Sequence, residues 1–315
     1  MQPYLDQGFF PFIASLWGRA FLFLVGALSP DEMVCEDLQF LALIASGLIG
    51  LFLGFYLIYN RLTMVANSLS HNILLGLILT YFIARWFWPV LSVDCIPLGL
   101  QLVASVVSSL LTLLSLKFLS KKLSFEASNA LSFTMFFALA ILLSSLLLNN
   151  THLGLESVLG NLEALAYQDI QRLFWVLCAV IVFVSVLKTR LNVTSFDALF
   201  ARSLGIGTEG LRQALIFMSS LSLMVCFRSM GVILILSLLT SPVLIARLFY
   251  QSRRKIFILG ALVVAFQITV VMGLVQWLYV SYELPVSTGG LFGFMGLVNY
   301  LIALFFKSKK VLFKR

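Results

Sequence analysis

LQFLALIASGLIGLFLGFYLIY, Leu38–Tyr59, runs for 22 positions without a charged residue. At about 1.5 Å per residue such a run makes a helix of roughly 33 Å, enough to cross the ~30 Å hydrocarbon core of a bilayer. Apolar and polar residues do not alternate in it, so it is not a barrel strand. Inside lipid only helices and closed barrels satisfy their backbone hydrogen bonds, and this stretch therefore reads as a membrane helix.

Working outward, nine more apolar segments follow the same pattern: Phe9–Leu28, Met64–Arg85, Leu98–Leu119, Ala127–Leu148, Ile170–Leu187, Leu211–Phe227, Gly231–Phe249, Ile256–Tyr279 and Leu291–Phe306. The expected fold is all-α, a polytopic transmembrane helical bundle of about 8–10 spans. Phe9–Leu28 is the weakest span because Arg19 sits in its middle, and lying at the interface or against other helices is the other reading. Leu211–Phe227 and Gly231–Phe249 are short and tightly joined, which allows a partial hairpin. Composition agrees with a lipid-embedded chain: 61% of the 315 residues are hydrophobic and 11% charged, with a mean hydropathy of +1.05. A soluble chain is about a quarter charged and could not hide so much apolar surface.

The net charge of +8 does not point to nucleic acid, because the basic residues sit in short clusters between apolar runs. One set of loops carries Arg61; Lys117, Lys121 and Lys122; Lys188, Arg190, Arg202 and Arg212; Arg247, Arg253, Arg254 and Lys255; and Lys307 to Arg315. The alternate loops carry Asp31 to Asp37, Asp94, Glu156, Glu163, Asp169 and Glu283. The positive-inside rule puts the basic loops and both termini in the cytoplasm. Arg85, Arg172 and Arg228 lie near outer ends, where they snorkel to the interface. The opening residues MQPYLDQGFF lack a basic n-region, so no cleaved signal peptide is expected.

The chain reads as one membrane domain, residues 1–315, without internal repeats. Two connections exceed a simple turn. The external one, 149–169, shows helical spacing of Leu155, Val158, Leu159, Leu162 and Leu165, a short surface helix. The cytoplasmic one, 187–213, contains TSFDALFARSLGIG, an amphipathic helix with Thr194 or Ser195 as its cap, Asp197 in its first turn and Gly205 as its end.

Several chemistries are absent from the motif inventory. No glycine precedes a lysine, so there is no P-loop and no ATP hydrolysis by that route. His71 and His152 are the only histidines, and no C-x-x-C pair exists. Cys35 and Cys95 both fall in outer loops, where an oxidising space permits a disulfide.

The most informative stretch is Met64–Thr80, MVANSLSHNILLGLILT. Asn67 and His71 are four residues apart and share one helix face. Ionisable groups inside a span are expensive and usually face a cavity or pathway. Neutral imidazole ligates zinc, manganese or iron, and an amide oxygen is a weaker, harder ligand. A hydrogen bond from His71 to a neighbouring helix is the competing explanation.

Ala66–Gly76, ANSLSHNILLG, resembles the signature GDALSHAVLPG of the metal-ion permeases of ATP-binding-cassette importers, the zinc, manganese and iron uptake family. Leu69, Ser70, His71, Leu74 and Gly76 are kept, while Asn67 stands for the family's Asp and Leu75 for its Pro. Four further stretches in family order are similar: Gly160–Ile170; Ser195–Gly205, SFDALFARSLG against SFDPEFARASG; Gly231–Ala246, with Pro242 in the matching place; and Pro285–Gly290. The resemblance implies that His71 and Asn67 line the ion path. It implies that Ser195, Phe196, Asp197, Ala201, Arg202 and Gly205 dock an ATPase, and that Gly76, Pro242, Pro285 and Gly289 serve the pathway or its hinges.

Implied partners are an ABC ATPase subunit, an extracytoplasmic metal-binding protein, a second permease subunit, identical or related, and the lipid bilayer of a bacterial inner membrane. No nucleic acid and no permanently bound cofactor are expected; the divalent ion is cargo. The alternatives are an ion-coupled secondary transporter, against which the lack of intramembrane carboxylates and repeats counts, and an ABC permease for iron chelates.

Overall fold

The computed structural model describes residues 4, 8–29, 32–87, 98–148, 162, 165–284 and 286–312. Its helices are α1 (Phe9–Leu24), α2 (Cys35–Tyr59), α3 (Thr63–Phe87), α4 (Leu98–Leu119), α5 (Phe125–Leu148), α6 (Tyr167–Phe196), α7 (Ala198–Ser203), α8 (Thr208–Met230), α9 (Val232–Phe249), α10 (Arg253–Tyr282) and α11 (Thr288–Leu312). Among the described residues no strand occurs, and nine helices, α2–α6 and α8–α11, are long and apolar enough to cross a membrane. The all-α polytopic bundle read from hydropathy is the fold observed.

Two elements differ from the sequence reading. The helix expected to stop at Leu187 continues to Phe196 as the 30-residue α6. Hydropathy marks where lipid ends, whereas Lys188, Arg190 and Leu191 are good helix formers that prolong the helix past that point. The pair read as a partial hairpin is instead two full helices, α8 of 23 residues and α9 of 18. Gly231 alone separates them, at φ +83, a backbone that glycine adopts without strain. The surface helix expected over Gly154–Tyr167 lies almost wholly outside the described residues, as do His152, Glu156, Cys95 and Pro285.

The chain packs as two compact units: Met1–Gly54 with Asn161–Ala179 and Ser229–Arg315, and Phe55–Gly160 with Val180–Arg228. In the first, α9 packs against α10 and α11, and α1 against α10. α2 meets α9 backbone to backbone: a Cβ built on Gly54 would lie 2.1 Å from the Leu239 carbonyl oxygen, and one on Gly50 3.0 Å from that of Leu238. Such small-residue contact is how helices associate where lipid offers no hydrophobic drive. Pro242 sits buried inside α9 and has no amide to give the Leu238 carbonyl four residues back.

α1 is 16 residues long, too short to span, and lies against other helices, the second of the two readings of this segment. Trp17 Nε1 donates to Thr269 Oγ1 of α10 at 3.2 Å. Arg19 is paired with the buried Asp37 at 2.8 Å and donates to the Glu32 carbonyl at 2.7 Å. Tyr4 donates its phenolic proton to the same Asp37. The arginine that made this segment doubtful as a span is thus the group that fastens it. Gln39 donates to Cys35 Sγ at 3.4 Å.

Within α9–α11 one polar residue organises the packing. Gln267 is fully buried; its amide Nε2 donates to the Phe292 carbonyl at 3.1 Å and to Ser237 Oγ at 3.3 Å. Its Oε1 accepts from Ser241 at 3.1 Å. Gly296 leaves room for this cluster, since a Cβ there would stand 2.5 Å from Ser237 Oγ.

Candidate functional site

In the second unit α3 packs against α4 and α5, and α5 also meets α4. Leu74, Leu75 and Ile78 of α3 form a buried cluster with Phe136 and Ala140 of α5. Leu75, at the position where the resembling signature has proline, therefore keeps its amide in an unbroken helix and packs into this core. Gly76 faces α4: a Cβ there would stand 2.4 Å from the Ala104 carbonyl oxygen and 2.8 Å from Ser108 Cβ. Its role in this fold is close helix approach.

One turn nearer the start of α3 the apolar packing gives way. His71 is half-buried, its ring 4.9 Å from that of Phe133 and 5.0 Å from that of Phe137, centroid to centroid. These two phenylalanines are four residues apart on α5 and form an aromatic wall beside the imidazole. His71 Nδ1 is buried and without a hydrogen-bond partner. Asn67, one turn along the same face, is exposed, and Met64 beyond it is 65% exposed. The line 64–67–71 is thus an open stripe that ends at a half-sheltered imidazole. Among the described residues no group of three or more His, Cys, Asp or Glu side chains comes together to hold a metal ion, so this stripe offers one imidazole nitrogen and one amide.

The neighbouring face of α3 is polar and buried. Ser68 donates to Asn129 of α5 at 2.8 Å, and Asn72 donates to Thr112 of α4 at 3.0 Å. Asn72 Oδ1 and Ser108 Oγ remain without partners. Asn72, Phe133 and Phe137 were not singled out by the sequence; the NxxxH spacing draws the eye to Asn67, while Asn72 is visible only as a second amide on the adjoining face.

The connection read as a cytoplasmic loop is the end of α6 followed directly by α7. Asp197 is the N-cap, accepting from Leu199 N at 2.8 Å and Phe200 N at 3.2 Å. Neither Thr194 nor Ser195 caps it: both hydroxyls donate back within α6, to Arg190 and Leu191 carbonyls. The Asp197 carboxylate reaches two orphan amides at once, which a hydroxyl still inside the preceding helix cannot. Gly205, at φ +76, follows the helix end as expected. Ala201 is buried, and Arg202 Nε donates to Thr208 Oγ1 at 2.9 Å.

What α7 offers outward is apolar: Phe196, Leu199, Phe200 and Leu204 are 92%, 76%, 53% and 57% exposed. Leu199, Phe200 and Leu204 were missed in the sequence, although three large apolar residues in an otherwise polar connection were the available signal. Gly289 lies in the first turn of α11, where its missing side chain faces Leu234 of α9.

Known proteins share this sequence pattern and this fold. The sequence pattern of the ABC 3 transport family matches residues 36–307. A "probable metal transport system membrane protein" of Chlamydia trachomatis is 30% identical over 98% of this chain and 95% of its own length. The manganese transport system membrane protein MntD of Bacillus subtilis is 28% identical over 76% of this chain and 81% of its own. Among solved structures, PsaBC from Streptococcus pneumoniae superimposes with a TM-score of 0.72 at 19% identity, covering 90% of this chain and 97% of that one. With the pattern running from the start of α2 into α11 and the fold shared across nearly the whole length, this multi-pass membrane protein belongs to the ABC 3 transport family.

Proposed function

We propose that the chain is the permease subunit of an ATP-driven importer of a divalent transition-metal ion, manganese, zinc or iron, in a bacterial inner membrane. The observation that carries this reading is the stripe on α3: a membrane-embedded imidazole whose buried Nδ1 has no hydrogen-bond partner, next to an open amide at Asn67. A neutral imidazole lone pair is a good donor for these ions, and leaving it unpartnered in lipid is otherwise costly. The ion passes along Asn67 and His71, exchanging part of its water shell for the amide oxygen and the ring nitrogen. The Phe133–Phe137 wall keeps water off one side of that step.

ATP hydrolysis belongs to a separate chain, because this one has no P-loop. That ATPase docks on α7 and its flanks, where Phe196, Leu199, Phe200 and Leu204 are exposed apolar residues with exposed Arg190 and Arg202 near them in sequence, a composition suited to a protein contact. A second permease subunit completes the path, since one imidazole and one amide do not make a full coordination shell. An extracytoplasmic metal-binding protein delivers the ion. The basic loops, α7 among them, face the cytoplasm.

The test is metal uptake by a reconstituted complex carrying His71→Ala. Uptake falls at least tenfold while the complex still assembles and hydrolyses ATP; wild-type uptake by this variant removes His71 from the path.

A further inference from the structure

The start of the ion-path helix is tied by side-chain hydrogen bonds to the foot of the docking helix. Asn60 lies in the tight turn between α2 and α3, three residues before α3 begins. Its Nδ2 donates to Ser195 Oγ in the last turn of α6 at 2.9 Å, and to the Tyr56 carbonyl at 2.8 Å. One turn back along both helices, Tyr56 Oη donates to Asn192 Oδ1 at 3.1 Å. Tyr56 is 1% exposed. Both bonds are partly buried, so separating them costs more than at an open surface, and the two rungs hold α2 and α6 in one register.

Both ends of this ladder are stiff. On one side the turn is closed by Leu62 N donating to the Leu57 carbonyl at 2.7 Å, and Arg61 is held at φ +57, a conformation that a non-glycine residue keeps only where its surroundings dictate it. α3 then runs unbroken through Asn67, about 6 Å along the axis from its start at Thr63. On the other side, Phe196 ends α6, Asp197 caps α7 and Ala198 begins it, with no linker between. At the far end of α7, Gly205 at φ +76 and Gly207 lead into α8, and Arg202 Nε donates to Thr208 Oγ1 across that turn. At its near end a displacement of α7 acts on Ser195, two residues before the Asp197 cap, and through it on Asn60.

We propose that the Tyr56–Asn192 and Asn60–Ser195 rungs couple the ATPase-docking helix to the ion-path helix, with Asn60 as the positioning residue that moves α3 when α7 moves. This rests on the reading of α7 as the docking element and of Asn67 and His71 as the path.

The experiment measures ions imported per ATP hydrolysed by the complete complex in liposomes, with manganese(II) and zinc(II) as probe ions. Asn60→Ala leaves ATPase binding and ATP turnover at wild-type levels while ions per ATP fall at least about five-fold, the low end of an allosteric coupling factor. Tyr56→Phe, which removes one hydroxyl, lowers the ratio in the same direction. Ser195→Ala lowers it too, Ser195→Thr restores it, and Asn60→Ala combined with Ser195→Ala falls no further than the worse single change.

A wild-type ratio in Asn60→Ala, or a double variant that loses the product of both single effects, overturns the coupling role. If Asn60→Ala fails to assemble, Tyr56→Phe decides, and its unchanged ratio overturns the proposal. Failure of the coupling proposal alone is recognised by a wild-type complex that imports and variants that match it; a wild-type complex that imports neither ion overturns the transport reading and the coupling together.

Discussion

Gly54→Ala should destabilise the protein, although alanine is the better helix former. A Cβ on Gly54 would stand 2.1 Å from the Leu239 carbonyl oxygen, with the carbonyl carbon at 3.1 Å. An ordinary C···O contact needs about 3.3 Å, so α2 and α9 must part by roughly 1.2 Å. The obstructing atom is backbone and cannot rotate away. Alanine gains about 1 kcal/mol of helix propensity over glycine. Overpacking a close contact costs about 1–3 kcal/mol and here falls at the upper end, because the close approach of α2 and α9 is lost with it. The expected net loss is about 1–2 kcal/mol. Gly210→Ala in α8 is the internal control: nothing lies within 4 Å of its Cβ, so only the propensity gain remains. Thermal unfolding in one detergent, followed by helical circular dichroism, should lower the midpoint for Gly54→Ala and leave it equal or higher for Gly210→Ala. A Gly54→Ala protein as stable as wild type would show that α2 and α9 do not meet backbone to backbone, and the packing account of this unit would fail with it.

Asn67→Asp adds a formal charge to the open stripe on α3 and should tighten binding of manganese(II) or zinc(II) at least tenfold by calorimetry on the assembled permease pair; unchanged affinity removes residue 67 from the site. Gln267→Leu removes three hydrogen bonds from a fully buried group; at about 0.6 kcal/mol each in a membrane protein, the loss in unfolding stability is about 2 kcal/mol. Asp37→Ala strands Arg19, whose side chain is 21% exposed. Discounted for that solvent access, the cost is about 2–3 kcal/mol, and protease cleavage between α1 and α2 should accelerate. Burial, then the Asp37 carboxylate, raise the Tyr4 phenol above its ordinary range. The folded chain keeps this proton while the unfolded chain loses it from about pH 10, so the contribution is complete below that pH and is lost as pH climbs above it; Tyr4→Phe should flatten this alkaline decline in the unfolding midpoint.

The spans were legible because hydropathy is a local property: Leu38–Tyr59 needs no partner to declare itself. The proposed docking segment was legible in part: its end at Gly205 is where expected, while the cap, expected at Thr194 or Ser195, fell to Asp197 because α6 does not stop where its apolar run stops. Arg19 rightly marked Phe9–Leu28 as the weakest span, but that it fastens α1 to Asp37 is a fact only after folding. Gly54 and Gly76 gave no sign of which backbone they admit. The Asn60–Ser195 contact joins residues 135 positions apart, and no periodicity reports such a pair. Spacing suggested that Asn67 and His71 share a face; that this face is open at 67 and walled by Phe133 and Phe137 at 71 depends on α5.

Polar groups in the two units are used differently, and the difference separates packing from function. Gln267 in α10 spends both ends of its amide on neighbouring helices and on a main-chain carbonyl, so it stabilises a fixed arrangement and has nothing left for a ligand. On α3 the inventory is incomplete: Ser68 and Asn72 reach across to α5 and α4, while His71 Nδ1 and Asn72 Oδ1 are buried without partners. A helix selected only for packing gains by replacing such groups with apolar ones, as α3 itself does one turn further on with Leu74, Leu75 and Ile78. Retaining an imidazole just where that apolar packing begins is therefore costly to the fold, and the proposed ion path accounts for it: a cation passing along the open face at Asn67 would satisfy the nitrogen for part of the cycle. On that proposal the stability of α3 and its service to the ion pull in opposite directions at residue 71, where Phe133 and Phe137 of α5 pack beside the ring.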